Sequence, residues 1–432
     1  IKITNPLGHI IEYIYDYTFG KVKQITDPNG FVYQNVYDPL GRLIQEKTPS
    51  QIAPYVPVLK NEYIYTDTIS NKNVKTLEYL DSKNNRETHE YFDGFGRVIQ
   101  TRSEGEMSND FNVKDIVYDN MGLVKKESLN YTNTGSARTN KTTTDHLYAN
   151  YTYDTLGRIL SISNSIGMTT TSYQGFKNTV TDSNGKVKNY YKDAYGNLVK
   201  VEEKNGTDTY TTNYEWNTLG KLTKITDALG NIRNFTYDQL GRRLTAEDLH
   251  APLDLTFGVW TYAYDNLGNV IQTTLPDGKV VAYTYDALGR KTVEDYLGTA
   301  GEDIAYLYDC LNNIGKLCSS FTQTGTNTHY TYNSNGAVLS EKKIIDGVSY
   351  VNTYTYDIAG NITNIVYPDL GEVHYVYNLA GLLDRVERKE SGGTFVNVIS
   401  NLDYNPMGNI KTIVYPNLIT TTNTYDDTKG YR

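Results

Sequence analysis

The sequence predicts an all-β protein, a continuous antiparallel ribbon of hairpins, and three observations carry that prediction. A short turn motif recurs along the whole chain. The composition suits strands and turns. No stretch of useful length shows the 3.6-residue periodicity of a helix.

The cleanest copy of the motif is Tyr283-Thr284-Tyr285-Asp286-Ala287-Leu288-Gly289-Arg290. Tyrosines at i and i+2 point to one face of a strand. Asp at the first and Gly at the fourth turn position are type I turn preferences, and Gly reaches the left-handed conformation at no steric cost. The aspartates therefore read as turn starters whose carboxylates accept backbone N–H bonds. Arg290 opens the return strand, so the unit is a hairpin.

An aromatic residue, Asp or Asn, two variable residues and Gly recur in full at Tyr37, Phe92, Tyr118, Tyr153, Trp216, Tyr237, Tyr264, Tyr285, Tyr332, Tyr356, Tyr377 and Tyr404. The repeat-defining residues are Tyr37, Asp38, Gly41 and Arg42; Tyr153, Asp154, Gly157 and Arg158; Tyr237, Asp238 and Gly241; Tyr264, Asp265 and Gly268; Tyr285, Asp286, Gly289 and Arg290; and Tyr356, Asp357 and Gly360. Degenerate copies run from Tyr15 to Gly20, from Asp193 to Gly196, and from Tyr308 to Asn312, where Asn replaces Gly. A second turn of the same chemistry, such as Asp27-Pro28-Asn29-Gly30 or Asp227-Ala228-Leu229-Gly230, lies between many primary turns. Two turns per repeat mean two strands per repeat, and repeats of about 21 to 27 residues mean an array whose units bury their faces on one another.

Residues 1–432 thus read as a single array with irregular insertions near 48–60, 103–114 and 130–145. Pro49, Pro54 and Pro57 argue for a loop in the first, and Thr and Asn without periodicity argue for a long surface loop or a frayed hairpin in the last. The chain has 41 Tyr and 35 Gly beside four Met and two Trp, so tyrosine rings are expected to replace an oily core. Pairs such as Tyr151 and Tyr153, Tyr262 and Tyr264, or Tyr354 and Tyr356 are expected to form rows across the ribbon.

A net charge of −9 with no basic run argues against nucleic acid as a partner. No apolar stretch is long enough to span a membrane. Ile1 to Pro6 carries neither a signal-peptide pattern nor an initiator Met, which reads as a fragment or a processed piece. Cys310 and Cys318 read as two free small residues, with a bond across the hairpin as the alternative.

No catalytic, cofactor-binding or metal-binding pattern emerges. His9, His89, His146, His250, His329 and His374 form no metal pair and read as scattered solvent-facing or lumen-facing residues. Glu202-Glu203 and Glu247-Asp248 are acidic neighbours, but adjacent strand residues face opposite ways and make no dyad. The Asn-x-Ser/Thr sequons at Asn130, Asn140, Asn150, Asn205, Asn234 and Asn361 are what chance supplies in so Thr- and Asn-rich a chain.

The element Tyr37-Asp38-Pro39-Leu40-Gly41-Arg42-Leu43, repeated with variation along essentially the whole chain, resembles the YD repeat of the Rhs family. That family includes bacterial Rhs polymorphic toxins, the C components of insecticidal Tc toxins, wall-associated bacterial proteins and animal teneurins. The resemblance implies a ribbon of hairpins curled into a spiral or hollow shell, a β-cocoon. It implies a secreted or cell-surface location and a non-enzymatic role in enclosing a C-terminal toxic polypeptide, with that cargo and adjoining shell segments as partners. The aspartate-bearing region that cuts the cargo free in family toxins is not recognisable here, so self-cleavage is not expected.

About sixteen two-strand repeats at ~4.8 Å per strand make a ribbon ~150 Å long and ~26 Å wide. Closed into a ring it would leave ~35–40 Å inside, about the width of a 130-residue globule but less tall, so one turn of wall is not a container. The chain is therefore expected to form part of a larger shell, or an open spiral. An adhesion or carbohydrate-binding module using exposed Tyr rows, and a self-associating filament, are the alternatives.

Overall fold

The computed structural model describes residues 1–51, 53–68, 71–139, 148–298, 303–311 and 313–425. Thirty-eight strands occupy them and no helix is present among the described residues. His146, Asn140, Asn312 and the 140–145 part of the expected loop lie outside the described residues. The chain forms two compact units: unit 1 comprises Ile1–Tyr148, Tyr306–Phe321 and Gly325–Arg432, and unit 2 comprises Ala149–Ala305 and Thr322–Thr324.

Unit 2 is a run of antiparallel hairpins in which each strand pairs with its sequence neighbours. Val280–Tyr285 pairs with Lys291–Leu297 through Tyr283↔Glu294, Thr284↔Val293 and Tyr285↔Lys291. The register shifts at Tyr285, so the return strand places Lys291 and Thr292 opposite one residue, as in a β-bulge. The same shift recurs at Tyr153, Trp216, Tyr237 and Tyr264. Gly289 sits at φ +74° and closes the turn by donating its N–H to Asp286 O at 3.0 Å. A side chain there would be strained, which is why the position is Gly.

Unit 1 uses the same hairpins, with bulges at Tyr37, Tyr356, Tyr377 and Tyr404. It adds a cluster of buried apolar residues, Phe111, Val113 and Tyr131. Around that cluster the largest fully buried side chains include Arg102 and Gln100. Arg102 donates to Gly135 O at 2.5 Å and to Thr139 Oγ1 at 3.0 Å, while Gln100 Nε2 donates to Asp115 Oδ1 at 2.6 Å. Tyr131 donates to Asp115 Oδ2 at 2.7 Å, and desolvation followed by that carboxylate pushes the Tyr131 phenol upward. Buried polar groups are tolerated here because they bond to one another.

Four expectations change. The segment 103–114 is no insertion but a hairpin, Val98–Glu104 with Asp110–Tyr118, and its alternate residues Phe111, Val113 and Asp115 are buried. Tyr131–Thr134 is a strand paired with Asp110–Val113 where a surface loop or frayed hairpin was expected. The expected loop at 48–60 shrinks because strands Leu43–Pro49 and Pro57–Thr68 run into it, with Pro49 and Pro57 facing each other at the strand ends, where lacking an N–H costs the ladder little. Where rows of tyrosines were expected, the registers place other residues opposite them: Tyr283 faces Glu294, Tyr262 faces Thr273, Tyr151 faces Ile162 and Tyr354 faces Ile365. The ring contacts at Tyr13–Tyr15 and Tyr330–Tyr332 run along single strands, with centroids 6.4 and 6.5 Å apart.

Candidate functional site

The repeat motif is a set of linked contacts. Asp286 Oδ1 accepts the N–H groups of Leu288 and Arg290 at 2.8 and 3.0 Å, and its Oδ2 accepts Arg290 Nε at 2.7 Å. Asp38 with Arg42, Asp154 with Arg158 and Asp238 with Arg242 repeat that geometry. In the Asp265 and Asp357 turns, Asn269 and Asn361 supply a neutral donor instead. At Asp154 the Arg158 N–H, opposed by partial desolvation and assisted by the Arg158 side chain and the Leu156 N–H, holds the carboxyl below its usual range.

The arginine reaches onward. Arg42 lies over the Tyr65 ring at 4.2 Å, Arg158 over Tyr173 at 4.2 Å and Arg242 over Tyr264 at 4.7 Å, each a ring of the next strand pair. The tyrosine hydroxyl then closes the link. Tyr37 donates to Val22 O, Tyr237 to Leu222 O, Tyr285 to Val270 O and Tyr377 to Ile362 O, at 2.7–2.8 Å and always across fifteen residues. Tyr264 and Tyr356 do the same to Arg243 O and Val338 O. The acceptor is each time the residue that follows the fifth turn position of an earlier repeat, where the bulge disturbs the ladder. Trp216 substitutes its indole N–H, donated to Leu198 O at 2.8 Å. The sequence showed the ring but not its acceptor, which lies fifteen residues back in four copies, 18 back for Tyr356 and Trp216 and 21 back for Tyr264.

Within unit 1 a second arrangement appears, a seam between primary turns of residues 313–408 and the opposite hairpin ends of residues 27–106. Asn29 brackets Ile314, accepting its N–H at 2.7 Å and donating to its carbonyl at 3.2 Å. Tyr33 donates to Ser334 O, Gln51 to Asp357 O and Arg86 to Ala380 O, and Ile358 N–H donates to Leu80 O. Glu106 Oε1 accepts both the Tyr404 N–H at 2.9 Å and Asn378 Nδ2 at 3.3 Å. Desolvation, together with Asp403 and Asp384 and against the Tyr404 bond, raises the Glu106 carboxyl. Beside the seam lies an open pocket of about 900 Å³ lined by Leu80, Leu339, Tyr356, Tyr375 and Tyr377 among others.

Other titratable groups serve hairpin contacts. Glu202 accepts bonds from Lys200, Tyr191 and Asn189, which hold it down to about 2, and Glu203 pairs with Lys188. Glu247 accepts Asn234 N–H and faces His250 at 3.2 Å. Two histidines correct the expectation of scattered solvent-facing or lumen-facing residues. His89 and His250 are buried, His250 stacks on Phe257 at 3.6 Å, and His374 stacks on Phe395 at 3.8 Å. His329 is exposed. No group of three or more His, Cys, Asp or Glu that could hold a metal occurs among the described residues. Cys310 and Cys318 form a disulfide with Cα atoms 5.9 Å apart, where two free thiols were expected; the facing strand ends bring them into bonding range. No described helix is long and apolar enough to cross a membrane.

Residues 216–248 and 264–300 match the RHS Repeat family model, and residues 62–159 match a domain of unknown function, DUF6443. No curated protein sequence matches the chain. Among solved structures, a TcdB2-TccC3 crystal structure superposes with a TM-score of 0.85 at 17% identity over 99% of this chain. TcdB2-TccC3 without its hypervariable C-terminal region superposes at 0.86 and 16% over 100%, and a Photorhabdus luminescens Tc holotoxin pore at 0.85 and 15% over 98%. These matches cover 26%, 28% and 28% of the respective chains, so this chain spans about a quarter of their length. At such identities the likeness shows a shared fold.

Proposed function

We propose that this chain, a member of the Rhs/YD-repeat family, is a non-enzymatic wall segment of a secreted toxin that encloses a polypeptide cargo. The observation that carries the reading is the superposition of essentially the whole chain on the TcdB2-TccC3 fold. The linked turns support it. Tyrosine hydroxyls tie hairpins to their neighbours, joined at the Arg42, Arg158 and Arg242 turns by a guanidinium on the next ring, so stiffness is spread along the ribbon. The seam in unit 1 supports it as well, because ribbon ends that bond to ribbon ends leave fewer gaps in a wall. Carboxylates and histidines such as Glu202 and His250 are engaged in contacts within the hairpins, a pattern suited to holding rather than reacting. Adjoining wall segments, on the same or a partner chain, and the enclosed polypeptide are the partners of this reading.

The test uses the complete gene product under limited proteolysis. Enclosure predicts that the polypeptide following the repeats survives in the native protein and is digested once the wall is opened by mild denaturant. Equal digestion rates before and after opening would contradict it.

A further inference from the structure

In unit 2 residues 227–231 join Leu222–Thr226 to Ile232–Tyr237, whereas the connection from Arg243–Glu247 to Val259–Tyr264 takes residues 248–258. A longer loop has more chain entropy to lose and needs fastening. Its base is closed by the Asp248 N–H donated to Gly258 O at 2.9 Å. Inside it, His250 exchanges both backbone bonds with Ile232, at 2.7 and 3.0 Å, and is buried. The loop is thus folded back onto the start of Ile232–Tyr237 at a single residue.

The ring of that residue is held on three sides. Nδ1 lies 2.9 Å from Ala251 O, Nε2 lies 3.2 Å from Glu247 Oε2, and the face stacks on Phe257 with centroids 3.6 Å apart. Both partners are acceptors: Ala251 O also takes the Asp254 N–H at 2.9 Å, and Glu247 Oε2 takes Asn234 N–H and Nδ2 at 3.0 and 2.5 Å. A neutral imidazole carries one N–H, so it would set a lone pair against one of these oxygens. An imidazolium donates to both. The charged groups on the elements around it are Arg233, Arg243 and Glu247 on the strands and Asp248 and Asp254 in the loop; Asp277 and Lys279, on the turn whose Pro276 abuts Gly258, pair with each other. His374, by contrast, stands 3.8 and 3.9 Å from Glu387 and Glu372, beyond hydrogen-bond range.

We propose that His250 is a proton-operated clasp: as imidazolium it fastens the loop 248–258 onto Ile232–Tyr237, and loss of its proton lets the loop open. Desolvation opposes the charge, but the Ala251 carbonyl, Glu247 and Asp254 outweigh it and raise the histidine above its ordinary value. A histidine raised in the folded state adds stability that is complete below its unfolded value and is lost as pH rises through the folded one. The loop is therefore fastened in mildly acidic solution and loosens on the alkaline side. The inference concerns one hairpin and does not depend on what the wall encloses.

Nuclear magnetic resonance of the whole chain with nitrogen-labelled histidine tests it, with His250→Gln used to assign the ring signals. The His250 ring is expected to titrate above the histidine of a synthetic peptide spanning 247–258. Hydrogen exchange of the 248–258 backbone, corrected for the intrinsic rate, is read at about pH 5 and about pH 8, with amides of Val280–Tyr285 as the folding control. Protection of the loop is expected to fall by about tenfold for each unit by which the His250 midpoint exceeds the peptide's, with the control unchanged. His250→Phe keeps a stacked ring without an N–H and is expected to show the same weak loop protection at both pH values. A His250 midpoint at or below the peptide's would overturn the proposal, and so would wild-type loop protection that stays constant across the range. Protection in His250→Phe that still falls with pH would assign the switch to another group and overturn it as well.

Discussion

The two units reach stability by different routes. In unit 2 the hairpin ladder is tied by Tyr237, Tyr264 and Tyr285 hydroxyls on earlier carbonyls, and its buried apolar residues, such as Phe235, Ala246 and Val281, are scattered. In residues 98–139 of unit 1 the primary motif lapses after Gly122, and Phe111, Val113 and Tyr131 form a packed cluster around buried Arg102. The difference teaches that a regular repeat distributes its stability among many small equivalent links, whereas an irregular one concentrates it at a few buried residues. Damage to the first should be graded and local, and damage to the second severe.

The largest effect is expected at Arg102. Arg102→Ala leaves Gly135 O, Thr139 Oγ1 and the Gln100–Asp115 group without their cation. It should destabilise unit 1 by about 3–4 kcal/mol in denaturant unfolding, as removal of one member of a buried charged network does. Exchange rates in unit 2 hairpins report whether the loss stays local. Gly289→Val comes next. It forces a β-branched residue to φ +74° and should cost about 2 kcal/mol, read as a lower melting temperature of unit 2.

Smaller effects sharpen the contrast from the other side. Leu370 and Leu418 hold φ of +63° and +64° at the turn position that Gly278 occupies at +83°. Leu370→Gly should therefore stabilise by about 0.5–1 kcal/mol, the relief of a left-handed side chain less the added chain entropy. At the seam, the raised Glu106 carboxyl fixes the sign of a pH dependence. A carboxyl whose folded value exceeds its unfolded one contributes most when protonated, so the seam loosens as pH rises from the ordinary Glu value through the raised one. Glu106→Gln should melt higher than wild type at neutral pH, and the difference should vanish in acid. A variant less stable than wild type at neutral pH would reverse that sign.

How far the sequence reached can be judged at particular residues. Asp286 and Gly289 were legible because turn chemistry is local: a carboxylate two and four residues from its donors, and a left-handed glycine. The ring of Tyr285 was legible as a strand residue, but its acceptor, Val270 O, belongs to another repeat at a bulge that composition does not reveal. The segment 103–114 looked polar, although Phe111, Val113 and Asp115 alternate with a period of two, a strand signal that was present and outweighed by its neighbours. The seam was not legible. Asn29 with Ile314 and Glu106 with Tyr404 are 285 and 298 residues apart, and nothing local marks such partners.

The central claim is that tyrosine hydroxyls bonded to earlier bulge carbonyls hold the ribbon together. Unfolding of Tyr237→Phe, Tyr285→Phe, Tyr377→Phe and their triple combination tests it most directly, since each change deletes one hydroxyl and keeps the ring. The expected result is a loss of about 1 kcal/mol per site, additive to about 3 kcal/mol because the sites share no partners. A triple variant that unfolds at the wild-type midpoint would contradict it.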